Sequence, residues 1–164
     1  MAYDSYMKIG DTIKGESTDD AHKQWIELYS FSLGISNPVT VGSATGGLTA
    51  GKASFSSFNV MKKYDTASVK LASASAAGTH FPQVDVELCL STGKKHTYIK
   101  YVFTDCMIES IQWSGSAGGD DRPTESLSIA FGKVTWEYTP ILHDGSTGTK
   151  IGPEGWDITK NLKA

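Results

Sequence analysis

Residues 110–138 read S-I-Q-W-S-G-S-A-G-G-D-D-R-P-T-E-S-L-S-I-A-F-G-K-V-T-W-E-Y. Two runs rich in β-branched and aromatic residues flank a glycine-rich segment at residues 115–122. Glycine lets the backbone reverse direction there, and the flanking runs have the composition of strands. This stretch therefore predicts an antiparallel hairpin. Within its second run we also predict a β-bulge at Gly132, where the apolar alternation changes phase.

The same alternation continues along the rest of the chain, over residues 25–35, 84–90 and 97–103, with a glycine turn at residues 91–94. In residues 25–35 we expect the large odd-numbered side chains to be buried. The tail from residue 140 is expected to add a final short strand. Many strands with short links predict a mainly β fold, an antiparallel sandwich or barrel, with residues 1–164 as a single domain.

One helix is predicted at about residues 66–77. Asp65 is placed to cap its first amide groups, and Gly78 is placed to end it in the left-handed conformation. Lys70 is the only charged residue within it, so no wide charged face is available for water. We expect a neighbouring subunit to cover part of this helix. The alternative is a short alanine- and serine-rich helix that is tolerated at the surface.

Residues 36–51, hereafter the arm, contain no charged side chain. A loop of this length in a compact domain is usually functional or disordered. Val39, Val41 and Leu48 are apolar enough to need a partner. The arm is therefore expected to be extended and to dock on another copy of the chain.

The bulk properties restrict the possible partners. The chain has 164 residues with 15 basic and 18 acidic side chains, and neither sign forms a long run. This favours neither nucleic acid nor an acidic membrane surface as a partner. The first twenty residues lack the features of a signal peptide and no segment approaches a membrane span, so we expect synthesis in the cytoplasm and no membrane insertion. Cys89 and Cys106 are expected to be free buried thiols, with a disulfide between adjacent strands as the alternative.

Several patterns that could indicate catalysis or cofactor binding fail on inspection. Residues 46–53 resemble a phosphate-binding loop, but Ala53 stands where a Ser or Thr must bind magnesium, and a strand-like run follows. No G-x-S-x-G or C-x-x-C motif occurs, and no pair of histidines has zinc-helix spacing. We therefore expect no cofactor, no metal and no enzymatic activity, although catalytic triads assemble in space rather than in sequence.

Three groups of side chains have a plain structural interpretation. The histidines His22, His80, His96 and His143 are scattered, and we expect surface or hydrogen-bonded roles, with His80 as the one to test. The acidic pairs at residues 19–20 and 120–121 are expected to be solvated turn residues. Most aromatic rings fall on the apolar phase of their strands and are expected in the core.

Spaced motifs in order along the chain carry a family resemblance: K-I-G-D-x-I-K-G-E-S at residues 8–17, G-G-x-T-A-G-K at 46–52, D-x-A-S-x-x-L at 65–71, G-x-H-x-P at 78–82, E-L-C at 87–89, the S-G-S-x-G-G segment from residue 114, and G-W-D-I-x-x-N at 155–161. With them the chain resembles the haemolysin-coregulated proteins (Hcp) of bacterial type VI secretion systems.

The resemblance implies a closed antiparallel β-barrel built from two sheets. It also implies a homo-hexameric ring that stacks into the inner tube of the secretion apparatus, with sheath and spike proteins as partners and small effector proteins in the lumen. Such a protein would be released extracellularly or into target cells without a cleaved signal peptide. We assign ring stacking to Gly46, Gly47, Leu48, Thr49 and Ala50, and lumen contact to Ser30 and Ser32. The alternative for the two serines is close packing of a second layer.

A function from another class stays open, namely a monomeric or small-oligomer binding module or effector chaperone that uses the barrel surface. An enzyme is the third possibility. The mass of the particle in solution separates a ring from a module.

Overall fold

A computed structural model describes residues 3–44, 46–119 and 121–164. It is mainly β with one short helix. The strands are β1 (Asp4–Ile9), β2 (Ile26–Leu28), β3 (Ser30–Ser32), β4 (Ile35–Ser36), β5 (Val39–Val41), β6 (Leu48–Ala50), β7 (Ser54–Phe55), β8 (Phe58–Lys63), β9 (His80–Ser91), β10 (Lys95–Ser114), β11 (Thr124–Tyr138), β12 (Ile151–Asp157) and β13 (Leu162–Lys163). Helix α1 spans Ser68–Ala77 between β8 and β9.

The main sheet has the order β13-β12-β11-β10-β9-β1-β2, and β8 pairs with both β11 and β3 as a branch. Each of these pairings is antiparallel, and the predicted hairpins β9–β10 and β10–β11 are both present. The tail contributes β12 and β13 rather than one strand. As a path of paired strands this order is open, so the closed barrel stays a prediction. The mainly β fold with a single short helix is confirmed for the described residues.

The strand predicted over residues 25–35 changes its sheet partner midway. β2 pairs with β1, whereas β3 pairs with β8. Ile26 and Leu28 are buried and Tyr29 is exposed, after which Phe31 packs against the core. The expectation that all large odd-numbered residues face the core is therefore wrong at Tyr29 and at the exposed Ile35. The change of partner shifts the buried phase by one residue, as the side-chain period of two requires.

The predicted bulge at Gly132 is also corrected. The register pairs Thr104 with Lys133 and Cys106 with Phe131, which leaves one residue on each strand between the two pairs. Gly132 therefore adds no extra residue relative to β10. At the level of Asp105 and Gly132, β10 and β11 both change the face that they bury. Asp105 has a φ of 57° there. The register shift between β10 and β11 lies instead between Ile108 and Ser110 of β10.

Helix α1 has the predicted ends, although it begins two residues later than expected. The Asp65 carboxylate accepts a hydrogen bond from the Ala67 backbone N–H (3.0 Å), and the Asp65 N–H donates to Ser68 Oγ (3.0 Å). These two bonds satisfy the amide groups of Asp65 and Ala67 in the turn that leads into the helix. Gly78 ends the helix in the left-handed region, with φ 65° and ψ 38°. The Leu71 side chain is buried and anchors the helix on the sheet.

The core lies between α1 and the sheet and continues among the strands. Its buried members include Met7, Ile26, Phe58, Leu71, Val86, Phe103, Leu127 and Val134. Among the aromatic residues expected in the core, Phe103 is fully buried, whereas Tyr29, Trp113 and Tyr138 are exposed. Cys89 and Cys106 are buried free thiols, as predicted. Within the described residues, no helix has the length and apolar character needed to cross a membrane.

Candidate assembly surfaces

The arm forms a hairpin that extends beyond the main sheet. β5 pairs with β6 through Val39–Ala50, Thr40–Thr49 and Val41–Leu48. Residues paired directly across two strands share one face, and neighbours along a strand alternate between faces. The hairpin therefore has an apolar face and a threonine face. We call the first the apolar arm face and define it as Val39, Val41, Leu48 and Ala50.

The apolar arm face is exposed to solvent in the single chain. Val39 is 56% exposed, Val41 68% and Leu48 74%. Gly42 and Gly47 close the hairpin, with the Gly42 N–H donating to the Gly47 carbonyl (2.9 Å). This geometry places the five residues assigned to ring stacking at the end of the hairpin and along β6. Thr45, which lies within the arm, falls outside the described residues.

The two serines assigned to the lumen lie on β3 with exposed side chains. They belong to two rows that cross four strands. One row is Ser32, Asn59, Ser128 and Ser110, and the other is Ser30, Met61, Ser126 and Gln112. Together with neighbouring residues they line a shallow depression of about 300 Å³. We call this surface the serine face.

The paired rows of the serine face carry no charge, and their polar side chains are interrupted by Met61, which is 44% exposed. Ser128 Oγ donates to Asn59 Oδ1 (2.6 Å), so the cross-strand row is tied together. The described residues place no second layer over Ser30 and Ser32, which argues against the packing alternative within one chain. The two rows themselves therefore offer no ion pair to a bound protein.

The exposed side of α1 carries few polar groups, as expected from its sequence. Val69 is 65% exposed, and Ser73 and Ala76 are also exposed. The one charged residue of the helix, Lys70, is engaged by a bond from its Nζ to the Thr12 carbonyl (3.0 Å). The described residues of the chain leave this side of the helix uncovered.

A buried ion pair between β8 and β11 lies against the start of α1, and sequence reasoning missed it. Lys62 and Glu125 are directly opposite on β8 and β11, and both are 0% exposed. Lys62 Nζ donates to Asp65 Oδ1 (2.8 Å) and to Ser68 Oγ (3.0 Å), and it lies 3.1 Å from Glu125 Oε1. Trp113 Nε1 donates to the other Glu125 oxygen (2.8 Å).

A second buried polar cluster surrounds His22, whose side chain is 3% exposed. His22 Nδ1 lies 2.7 Å from Asp19 Oδ1, and Nε2 lies 2.7 Å from Glu87 Oε2. The Tyr6 ring stacks on the imidazole with centroids 4.5 Å apart. Trp25 contacts the ring edge-on at 4.9 Å. We call His22 with these four residues and the two lysines described next the His22 cluster.

Two lysines complete the cluster. Lys95 Nζ donates to Asp19 Oδ2 (2.9 Å) and pairs with Asp4 (3.0 Å), while Lys100 pairs with Glu87 (3.1 Å). The hydrogen bond from Lys95, followed by that from His22, lowers the pKa of Asp19 from 3.8 to about 2. Burial alone would raise the pKa of Glu87, but hydrogen bonds from His22 and Lys100 lower it.

This cluster corrects one expectation. Asp19 is not a solvated turn residue, because its carboxylate accepts hydrogen bonds from both His22 and Lys95. Two of the histidines have the kinds of role expected from the sequence, since His22 is hydrogen-bonded and His80 is exposed, 3.6 Å from Asp105. In the second acidic pair Asp121 is exposed, as expected, and Asp120 lies outside the described residues.

The cluster brings a thiol and an imidazole together without making a nucleophile. Cys89 Sγ lies 3.9 Å from His22 Nε2, but that nitrogen faces Glu87 at the shorter distance of 2.7 Å. Burial raises the pKa of the Cys89 thiol, and the residue is 1% exposed. An activated cysteine needs a lowered pKa and access to substrate. Among the described residues, no group of three or more side chains is arranged to hold a metal ion.

The fold and these surfaces define a β-rich structural protein whose charges are paired inside and whose apolar side chains are partly displayed outside. The chain belongs to the Hcp family of the type VI secretion system: residues 6–138 match the family described as "Type VI secretion system effector, Hcp". The resemblance inferred from the motifs is thereby confirmed.

Known relatives agree along the full length. Protein hcp1 of Pseudomonas aeruginosa is 32% identical over 165 residues, covering 100% of both chains. A solved structure of a type six secretion system protein is 47% identical with a TM-score of 0.95, covering 99% of this chain and 100% of the other. The crystal structure of Hcp1 from Salmonella typhimurium is 32% identical with a TM-score of 0.78, covering 100% of both chains.

Proposed function

We propose that this chain is the ring subunit of a type VI secretion inner tube. Six copies form a ring, the rings stack, and the lumen carries small effector proteins that leave the cell with the tube. Sheath and spike proteins are the further partners. The apolar arm face is the observation that carries the proposal, because exposed side chains at Val39, Val41 and Leu48 favour burial against another copy.

In this proposal residues 1–164 act as one domain that closes into a barrel. The consecutive strands β2 and β3 pair with β1 and β8, respectively. Between them, the Tyr29 N–H donates to the Met61 carbonyl (2.8 Å). These bonds support a circuit of strands β1, β2–β3, β8, β11, β10 and β9. Closure removes the exposed edges that would otherwise promote aggregation.

Two different surfaces are needed, since one contact closes a ring and another stacks rings into a tube. We assign stacking to the end of the arm, Gly46 to Ala50, and ring closure to surfaces that include the exposed side of α1. The serine face, with Ser30 and Ser32, is assigned to the lumen. Its uncharged surface of small polar side chains, with the exposed Met61 among them, suits transient contact with varied cargo.

The stacking assignment is tested with Leu48→Glu. We expect rings to form and tubes to be lost, because a charge on the apolar arm face must be desolvated on docking. Thr149→Glu is the control, since it adds the same charge at an exposed position outside the arm. Negative-stain microscopy is the measurement. Tubes that form equally well with Leu48→Glu would overturn the assignment of stacking to this face.

The lumen assignment is tested with Ser32→Arg, compared with Thr149→Arg in the exposed segment before β12. We expect Ser32→Arg alone to reduce retention of a small effector protein that is co-expressed and purified with the ring. Equal retention in both variants would remove Ser32 from the lumen.

A further inference from the structure

The surroundings of His22 restrict its protonation state through geometry alone. Each ring nitrogen lies 2.7 Å from a carboxylate oxygen, Nδ1 from Asp19 and Nε2 from Glu87. An ionised carboxylate only accepts hydrogen bonds, and a neutral imidazole has a single N–H donor. A neutral ring would therefore direct a nitrogen lone pair at a carboxylate oxygen at that short distance.

The charges that face the ring lead to the same conclusion. Three carboxylates, Asp4, Asp19 and Glu87, pair with the ring or with the two ammonium groups of the cluster, Lys95 and Lys100. One further positive charge balances them, and a protonated His22 supplies it. Two further titratable groups lie beside the ring, Tyr6 and Cys89, which are neutral acids in their ordinary state. The stacked Tyr6 ring also favours a cation against its face.

We propose that His22 is held as an imidazolium ion and that this charge clamps residues 10–25, the segment between β1 and β2, onto β9. Asp19 and His22 come from the segment itself, whereas Glu87 comes from β9. The imidazolium is therefore the bridge between them. The proposal stands independently of ring formation.

The clamped segment holds several parts of the fold together. Its own backbone is tied by bonds from the Gly15 N–H to the Gln24 carbonyl and from the Gln24 N–H to the Ser17 carbonyl, both 2.8 Å. Thr66 Oγ1, beside the start of α1, donates to the Lys14 carbonyl (3.0 Å). Arg122, in the β10–β11 turn, pairs with Glu16 (3.0 Å). Loss of the charge on His22 is therefore expected to loosen this segment and its contacts with the helix and the turn.

The protonation state is measured directly on the unmodified protein by ¹⁵N NMR of the histidine side chains at about pH 7. We expect both His22 nitrogens to give the chemical shifts of protonated imidazolium nitrogens. On addition of base, the amide signals of Gly15, Ser17 and Gln24 should shift with the same midpoint as the His22 ring. A neutral tautomer at about pH 7, or segment amides that do not follow the ring, would overturn the proposal.

Variants provide a second test. Glu87→Gln places an amide that can donate to Nε2, so we expect the ring to become neutral at the same pH in this variant. His22→Gln removes the cation, and we expect the melting temperature to fall by roughly 5–15 °C. His143→Gln, at an exposed site, is the control and should leave the melting temperature unchanged. If His22→Gln melted at the same temperature as the parent protein and His143→Gln, the clamp would be contradicted. An unchanged His22 ring signal in Glu87→Gln would contradict it as well.

Discussion

The arm and the junction between α1 and the sheet reverse the usual distribution of side chains. The arm has no charged residue, and its apolar face is exposed. The junction buries a lysine and a glutamate, Lys62 and Glu125, at 0% exposure. Both arrangements are unfavourable unless a partner is present. At the junction the partners belong to the same chain, whereas for the arm we propose that they belong to another copy.

This difference separates folding from assembly. A buried ion pair forms as soon as the chain folds, and removing one partner leaves an uncompensated charge. An exposed apolar hairpin contributes little to the single chain and gains its stabilisation only on docking. Substitutions in the two regions should therefore have separable effects, on the free energy of unfolding in one region and on the size of the assembly in the other.

The largest effect on stability is expected from Lys62→Met. This change leaves Glu125 and Asp65 buried without their ammonium partner, which costs about 3–5 kcal/mol in free energy of unfolding. Denaturant unfolding at one fixed protein concentration measures it. The double variant Lys62→Met with Glu125→Leu is the control and should recover much of the loss. If Lys62→Met proved as stable as the parent protein, the buried ion pair would not stabilise the fold.

Asp19→Asn is expected to have a smaller effect that depends on pH. Because the pKa of Asp19 is lowered from 3.8 to about 2, its contribution to stability is present above the unfolded value and is lost as the pH falls towards 2. At neutral pH we expect a loss of about 1–2 kcal/mol, reduced by partial solvent screening. The parent protein and Asp19→Asn should approach equal stability as the pH falls to about 2. Denaturation across the acid range checks this, and a difference independent of pH would refute it.

Gly78→Ala tests the end of α1 with an effect of about 1 kcal/mol. A Cβ at Gly78 would meet Met107 Cε at 3.7 Å, an ordinary contact, so the cost arises from the positive φ alone. Gly118→Ala is the matched control, since a Cβ there meets nothing within 4 Å and its φ is not in the left-handed region. Equal stability of the two variants would mean that the backbone at Gly78 relaxes freely.

The smallest effect on stability is expected from Leu48→Glu, within about 0.5 kcal/mol, as for other surface changes. The same variant is expected to abolish stacking, so its effect on assembly is large while its effect on the free energy of unfolding is small. A large loss of stability would show that the arm contributes to the fold of the single chain.

Much of the fold was predictable because its causes are local. Alternation identified the long strands, and Asp65 and Gly78 identified the ends of the helix. The change of face at Tyr29 could not be predicted, because it depends on which strands β2 and β3 pair with. The change of buried face at Gly132 could not be predicted either, because β10 makes the matching change at Asp105 on the opposite strand.

The polar clusters were harder to predict because their partners are distant in sequence. Asp19 is near His22, but Glu87 is 65 residues away. For the buried ion pair a signal did exist. Lys62 shares the buried phase of Phe58 and Val60, and Glu125 shares that of Leu127. A charge of each sign on the apolar phase of two strands is a recognisable signature of a buried pair, once the strands are known to be neighbours.

The assignments of Ser30, Ser32 and residues 46–50 stay predictions, since they concern contacts with other molecules. The structure shows that these residues are available for such contacts, because the two serines and Leu48 are exposed.

We propose that this chain works as a building block that recognises copies of itself. Light scattering of the purified protein, with imaging of the same sample, measures its state of assembly. We expect a particle of about six chain masses that is annular in projection. A particle with the mass of one chain at all concentrations, and no annular images, would contradict it.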